Sequence, residues 1–89
     1  MASYLIIRHK VRDFSAWKTV FDAHRVKRVE AGLTDKQLMR SDADPNEVVI
    51  FCDAQDLNRA RAFCESAELR DTMQKAGVSE KPDLYFLND

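Results

Sequence analysis

The sequence predicts an α+β domain of β-α-β-β-α-β order, a four-stranded antiparallel sheet with its helices on one face. Three observations carry this. Stretches rich in β-formers stand near both ends, at Tyr4–Val11 and Asp83–Leu87. Two more strand-like stretches flank a run of turn formers in the middle of the chain. Between them lie two stretches whose apolar residues recur at helical spacing. At 89 residues the chain makes one domain, residues 1–89.

Taken in order, Tyr4–Val11 (YLIIRHKV) is bounded by polar residues and forms the first strand. From Phe14 the period changes, and Phe14, Trp17, Val20, Phe21, His24, Arg28 and Ala31 fall on one face of a helix. Asp13 or Ser15 can cap its start, and Gly32 can supply a left-handed stop. Lys36–Ser41 and Glu47–Ala54 flank Asp42-Ala43-Asp44-Pro45-Asn46, which predicts a hairpin. The second helical stretch starts after Asp56, with Leu57, Ala60, Phe63 and Cys64 on one side. Ser66 caps a continuation carrying Leu69, Met73 and Ala76, which ends at Gly77. Asp83–Leu87 follows Pro82 as the last strand. This is the ferredoxin-like split arrangement.

Composition excludes several function classes. Fourteen Lys and Arg against 15 Asp and Glu give a net charge of −1, so no basic excess exists to neutralise phosphates, and nucleic acid is not an expected partner. No apolar run approaches the ~20 residues of a membrane span, and Met1–Lys10 lacks a signal-peptide layout. A cytoplasmic protein is expected. Cys52 and Cys64, without a Cys-x-x-Cys, read as two small hydrophobes in a reducing compartment. No glycine-rich phosphate loop is present, and no cofactor is expected.

The strands are apolar on both faces. Leu5 and Ile7 oppose Tyr4 and Ile6, Val48 and Ile50 oppose Val49 and Phe51, and Leu84 and Phe86 oppose Tyr85 and Leu87. Helices can cover only one face of a two-layer domain, so the other would expose more apolar surface than soluble monomers usually do. A homodimer packing sheet against sheet removes that surface. Arg8, Lys10 and Asp53 are the residues that could instead keep the face wet.

Several segments together resemble the dimeric α/β-barrel superfamily, which includes antibiotic-biosynthesis monooxygenases and stress-responsive barrel proteins. They are Val11-Arg12-Asp13-Phe14 leading into Trp17 and Phe21, Asp44-Pro45-Asn46-Glu47-Val48-Val49, Ala62-Phe63, Glu68-Leu69-Arg70, Met73, Ala76-Gly77-Val78 and Pro82-Asp83-Leu84-Tyr85-Phe86-Leu87. The chain is most similar in pattern to small bacterial members labelled cyclase-like or monooxygenase-like. The resemblance implies a sheet-to-sheet homodimeric barrel with a ligand pocket between helices and sheet. It says little of chemistry, because such barrels host many unrelated activities. No Asn/Trp/His set aligns with the haem-degrading relatives.

His24 is the candidate catalytic residue. It lies in the apolar stripe of the first helix, and an imidazole there can shuttle protons or hold a ligand. The plain alternative is a core histidine bonded to a backbone carbonyl. Trp17 and Phe21 are candidate substrate-binding walls for a flat apolar molecule. His9 shares a strand face with Leu5, Ile7 and Val11, so it would border the same cavity if that face meets the helices. Arg28, on the His24 stripe, could bind an anion, although Arg8, Arg28 and Arg40 more often pair with acids. Two histidines make a poor metal site, and no metal is expected. Asp42, Asp44 and Asn46 mimic the start of a calcium loop, but Glu47 stands where glycine is needed, so the segment reads as a turn. No Ser/His/Asp or Cys/His/Asn set can be assembled.

Two classes of function remain. One is an enzyme, a cofactor-independent oxygenase, cyclase or isomerase acting on a small apolar or aromatic molecule. In the resembled oxygenases the substrate carbanion itself reacts with oxygen, so a dry cavity and one base suffice. The other is a protein without turnover, either a small-ligand-binding or stress-response dimer or a purely structural one.

Overall fold

In a computed structural model, which describes residues 2–89, the chain runs β1 (Ser3–Lys10), α1 (Phe14–Ala23), α2 (Arg25–Glu30), β2 (Leu33–Arg40), β3 (Glu47–Ala54), α3 (Leu57–Cys64), α4 (Ala67–Lys75) and β4 (Asp83–Asn88). The strands form one antiparallel sheet in the order β2-β3-β1-β4. This is the predicted arrangement, with both helical stretches divided in two.

The division after α3 follows its sequence signal. Ser66 Oγ donates to the Phe63 carbonyl at 2.8 Å, closing α3, and accepts from the Leu69 amide at 3.2 Å, opening α4. Asp56 caps α3 in the same way, accepting from the Asn58 amide at 2.8 Å. The division after α1 corrects the single helix expected from Phe14 to Ala31. The His24 amide is shared between the carbonyls of Val20 (3.0 Å) and Phe21 (3.2 Å), which tightens the last turn before α2 resumes. Of the two candidate caps, Asp13 serves, accepting from the Ser15 amide at 3.0 Å.

Two strand boundaries also differ from expectation. Val11 leaves β1 and makes an isolated bridge to Val78. β2 starts at Leu33 rather than Lys36, because a bulge between Asp35 and Gln37 breaks its alternation. The predicted turn holds: Asp44 accepts from the Asn46 amide, and Asn46 Oδ1 accepts from the Phe14 amide, tying the hairpin to the start of α1.

The sheet's inner face presents Leu5, Ile7 and His9 from β1 and Val48, Ile50, Cys52 and Ala54 from β3. Trp17 and Ala60 bury against this core from the helical layer. The outer face carries Tyr4, Ile6, Val49, Phe51, Tyr85 and Leu87, of which Tyr85 and Leu87 are exposed. Among the described residues no helix is long and apolar enough to cross a membrane.

Gly32 and Gly77 both stop helices at φ +81°, a conformation that costs residues with a Cβ roughly 1–2 kcal/mol. A Cβ on Gly77 would meet only Arg12 side-chain atoms, at 3.7 Å or more, whereas one on Gly32 would lie 3.3 Å from Gln55 Cβ. Gly32→Ala should therefore lower the urea midpoint more than Gly77→Ala. Equal losses would show that backbone strain alone sets the cost.

Candidate functional site

The helical layer does not fill the space above the sheet. A cavity of about 70 Å³ remains, floored by Ile7, His9 and Ile50 and walled by residues of all four helices. Trp17, Phe21, His24 and Arg28 come from the first helical stripe, so the five candidate site residues all border one cavity. The remaining wall comes from the second half of the chain, chiefly Phe63, Leu69, Met73 and Leu84. These were visible in the sequence as core positions, with no signal that they faced a void.

His9 is 5% exposed, and neither ring nitrogen has a hydrogen-bond partner. Its ring meets Trp17 edge-on, with centroids 5.4 Å apart. Burial pushes its pKa down to about 4, so the imidazole is neutral at pH 7. His24 sits at the α1–α2 break, half-buried, stacked on Phe63 at 5.8 Å. Its Nε2 is buried without a partner. Its pKa is lowered first by burial and then by the nearby Arg28 charge.

Trp17 and Phe21 do not form a slot. They stack on each other at 4.8 Å and make one continuous wall, so a flat molecule would lie against them and not between them. Arg28 is likewise committed elsewhere. Its Nε and Nη2 donate to Asp35 at 2.8–3.2 Å, its Nη1 donates to the Phe21 carbonyl at 2.8 Å, and its guanidinium lies 3.6 Å from the Phe21 ring centroid. The anion it could have bound is already present as a side chain. Arg8 pairs with Glu47 and Asp83, while Arg40 donates to the Pro45 carbonyl and covers Phe14.

The cysteines are poor nucleophiles. Burial pushes the Cys52 thiol up to about 12, with Asp35 adding to the shift, and that thiol donates to Asp35 at 3.6 Å. Cys64, on the cavity wall, is raised to about 11 by burial. Both are free. Among the described residues no three His, Cys, Asp or Glu side chains converge as a metal site requires.

No family model matches the sequence, and no curated protein does. Solved structures do match. A candidate antibiotic biosynthesis monooxygenase from Bordetella bronchiseptica superposes with a TM-score of 0.81 at 16% identity, covering 99% of this chain and 96% of that one. SnoaB, a cofactor-independent oxygenase from Streptomyces nogalater, gives 0.72 at 14% identity, covering 99% and 94%. A conserved protein from Methanosarcina mazei gives 0.73 at 8% identity, covering 98% and 91%. The chain has the ferredoxin-like fold of these structures. At these identities the likeness fixes architecture over the whole chain and leaves chemistry to the cavity's own residues.

The state of His9 has a thermodynamic consequence. Unfolded, it takes a proton near 6.5; folded, near 4. Between those values the unfolded chain binds more protons, so this contribution is fully present above pH 6.5 and is lost as pH falls toward 4. It amounts to roughly 3 kcal/mol. His9→Leu should flatten the urea midpoint across that window. An unchanged pH slope in the variant would show that His9 is not buried neutral.

Proposed function

We propose that the protein is a small-molecule enzyme, a cofactor-independent oxygenase or isomerase whose substrate enters the cavity with an uncharged, largely apolar part bearing a carbonyl or hydroxyl. One observation carries the reading: two histidines whose buried ring nitrogens have no partner line a largely apolar cavity. Buried polar groups are ordinarily paired, so a pair left open marks a place for a ligand's polar atoms. An uncharged head is favoured because His9 is neutral and Arg28 is already neutralised by Asp35.

The two histidines suit different tasks. A group titrating near 4 is a weak proton acceptor at pH 7, but its neutral N–H can donate to a developing enolate oxygen. His24 is less buried and can pass a proton on to solvent, which suits a general base removing hydrogen from carbon beside the carbonyl. The enolate is then reprotonated elsewhere, as in an isomerase, or donates electrons to dioxygen. The fold shared with a cofactor-independent oxygenase supports the second outcome. Free cysteines support a reducing, cytoplasmic setting.

Butanone tests the base. The protein should accelerate deuterium uptake at its α-carbons, read by NMR, and His24→Asn should cut that acceleration about hundredfold while leaving the fold intact. Binding of butanone without faster exchange would turn the reading to a ligand-binding protein without turnover.

We further propose that the outer sheet face pairs with a second copy. Ile6 lies between Phe51 and Tyr85 in one cross-strand row, with Tyr4 and Leu87 beside it. Arg8 with Glu47 and Asp83, and Lys36 with Asp53, neutralise one another around this centre. An apolar centre with a self-paired polar rim has the anatomy of an interface. Light scattering should give about twice 10.3 kDa, and Phe51→Glu should halve that mass. A monomer at micromolar concentration would rule the pairing out.

A further inference from the structure

A second hollow adjoins the cavity and shares part of its wall. Cys64, Met73, Pro82 and Leu84 border both the cavity and this neighbouring groove, so these four side chains form the partition between two hollows that are each partly open to solvent. The rest of the groove is Glu65, Arg70 and Lys81. Every ion pair among the described residues involves other side chains, leaving Arg70 and Lys81 without a carboxylate partner. Against the single acid Glu65, the groove carries one net positive charge.

We propose that cavity and groove are the two halves of one site for a slender amphiphile: an aliphatic chain with a hydroxyl or carbonyl at its inner end and a carboxylate at its outer end, the latter held by Arg70 and Lys81. This rests on reading the cavity as a ligand site.

Size decides the shape of the ligand. A dry cavity of about 150 Å³ admits benzene, and this one, at about 70 Å³, has less than half that volume. A short chain fits where a ring does not. A chain whose inner end meets His9 and His24 and that outgrows the cavity can continue past the partition into the adjoining groove. Met73 is the flexible member of that partition, an unbranched thioether side chain that can swing without strain. It is carried by α4, none of whose residues is fully buried. Whatever passes Met73 and Pro82 arrives at the two unpaired cations. A carboxylate there can accept charge-assisted hydrogen bonds from both cations.

The test uses Trp17, the sole tryptophan and part of the cavity wall, as the fluorescence reporter. The probes are ω-hydroxy acids from hydroxybutanoate to hydroxyoctanoate, with the matching diols and the plain carboxylates. A hydroxy acid should bind about tenfold tighter than its diol at low salt. That advantage should shrink with added salt and vanish in Arg70→Gln/Lys81→Gln, whose diol affinity stays as in the parent. His9→Leu should weaken the hydroxy acid toward the plain carboxylate. Diol and hydroxy acid binding equally at low salt would overturn the bipartite site and leave the cavity reading standing. Hydroxy acids that bind with no response to His9→Leu would place them on the surface alone, which also overturns it. If no probe of any chain length binds, both readings fall together.

Discussion

Much of this site depends on where Arg28 puts its guanidinium. A buried cation has to be paired and its donors satisfied, and here Asp35 takes Nε and Nη2 while the Phe21 carbonyl takes Nη1. The first contact ties α2 to β2, and the second holds a carbonyl in the last turn of α1. His24 lies between these two anchored points, at the residue where the helix breaks. The same guanidinium lies over Phe21, which stacks on Trp17, which in turn meets His9. One ion pair is therefore connected by contacts to the wall, the break and the inward imidazole. Such pairs contribute little net stability against an apolar substitute, but losing one partner costs about 3–5 kcal/mol. The gain is in geometry.

That geometry leaves a space that packing alone does not account for. Protein interiors are close-packed, so a hollow of about 70 Å³, partly open to solvent, leaves its apolar lining short of contacts. Two imidazoles with unpaired nitrogens add a desolvation cost of their own. A ligand that fills the void and bonds those nitrogens relieves both at once. Replacing His9 with leucine would relieve only the second. On the proposed function, the occupant would be the substrate.

Local signals were the legible part of the sequence. Asp13, Asp56 and Ser66 cap where their side chains imply, and Gly32 and Gly77 take the left-handed stops. The stripe from Phe14 to Arg28 and the alternation of β1 were enough to bring His9, Trp17, Phe21, His24 and Arg28 to one place, because both periods are fixed by backbone geometry. What could not be read depends on contacts distant in the chain. No proline or glycine marks the break at His24. Asp35 became the partner of Arg28 only through a bulge that hid the start of β2. That Trp17 stacks on Phe21, closing the slot between them, is a matter of rotamers, and periodicity is silent about those.

β1 and β4 link the two faces of the sheet. Ile7 and Leu84 are paired neighbours that border the cavity, while Ile6 and Tyr85, one residue along each strand, are paired neighbours on the outer face. Strand geometry makes this unavoidable, since successive side chains point to opposite sides. Load placed on the outer row by a second copy would restrain the same backbone that floors the cavity. A small domain buries a limited share of its surface, and its lightly packed α4 leaves one wall yielding. A firm floor under a yielding wall is what a site needs if it is to hold catalytic groups in register and still admit a ligand. If the outer face pairs with a second copy as proposed, β1 is the element that the interface and the cavity share.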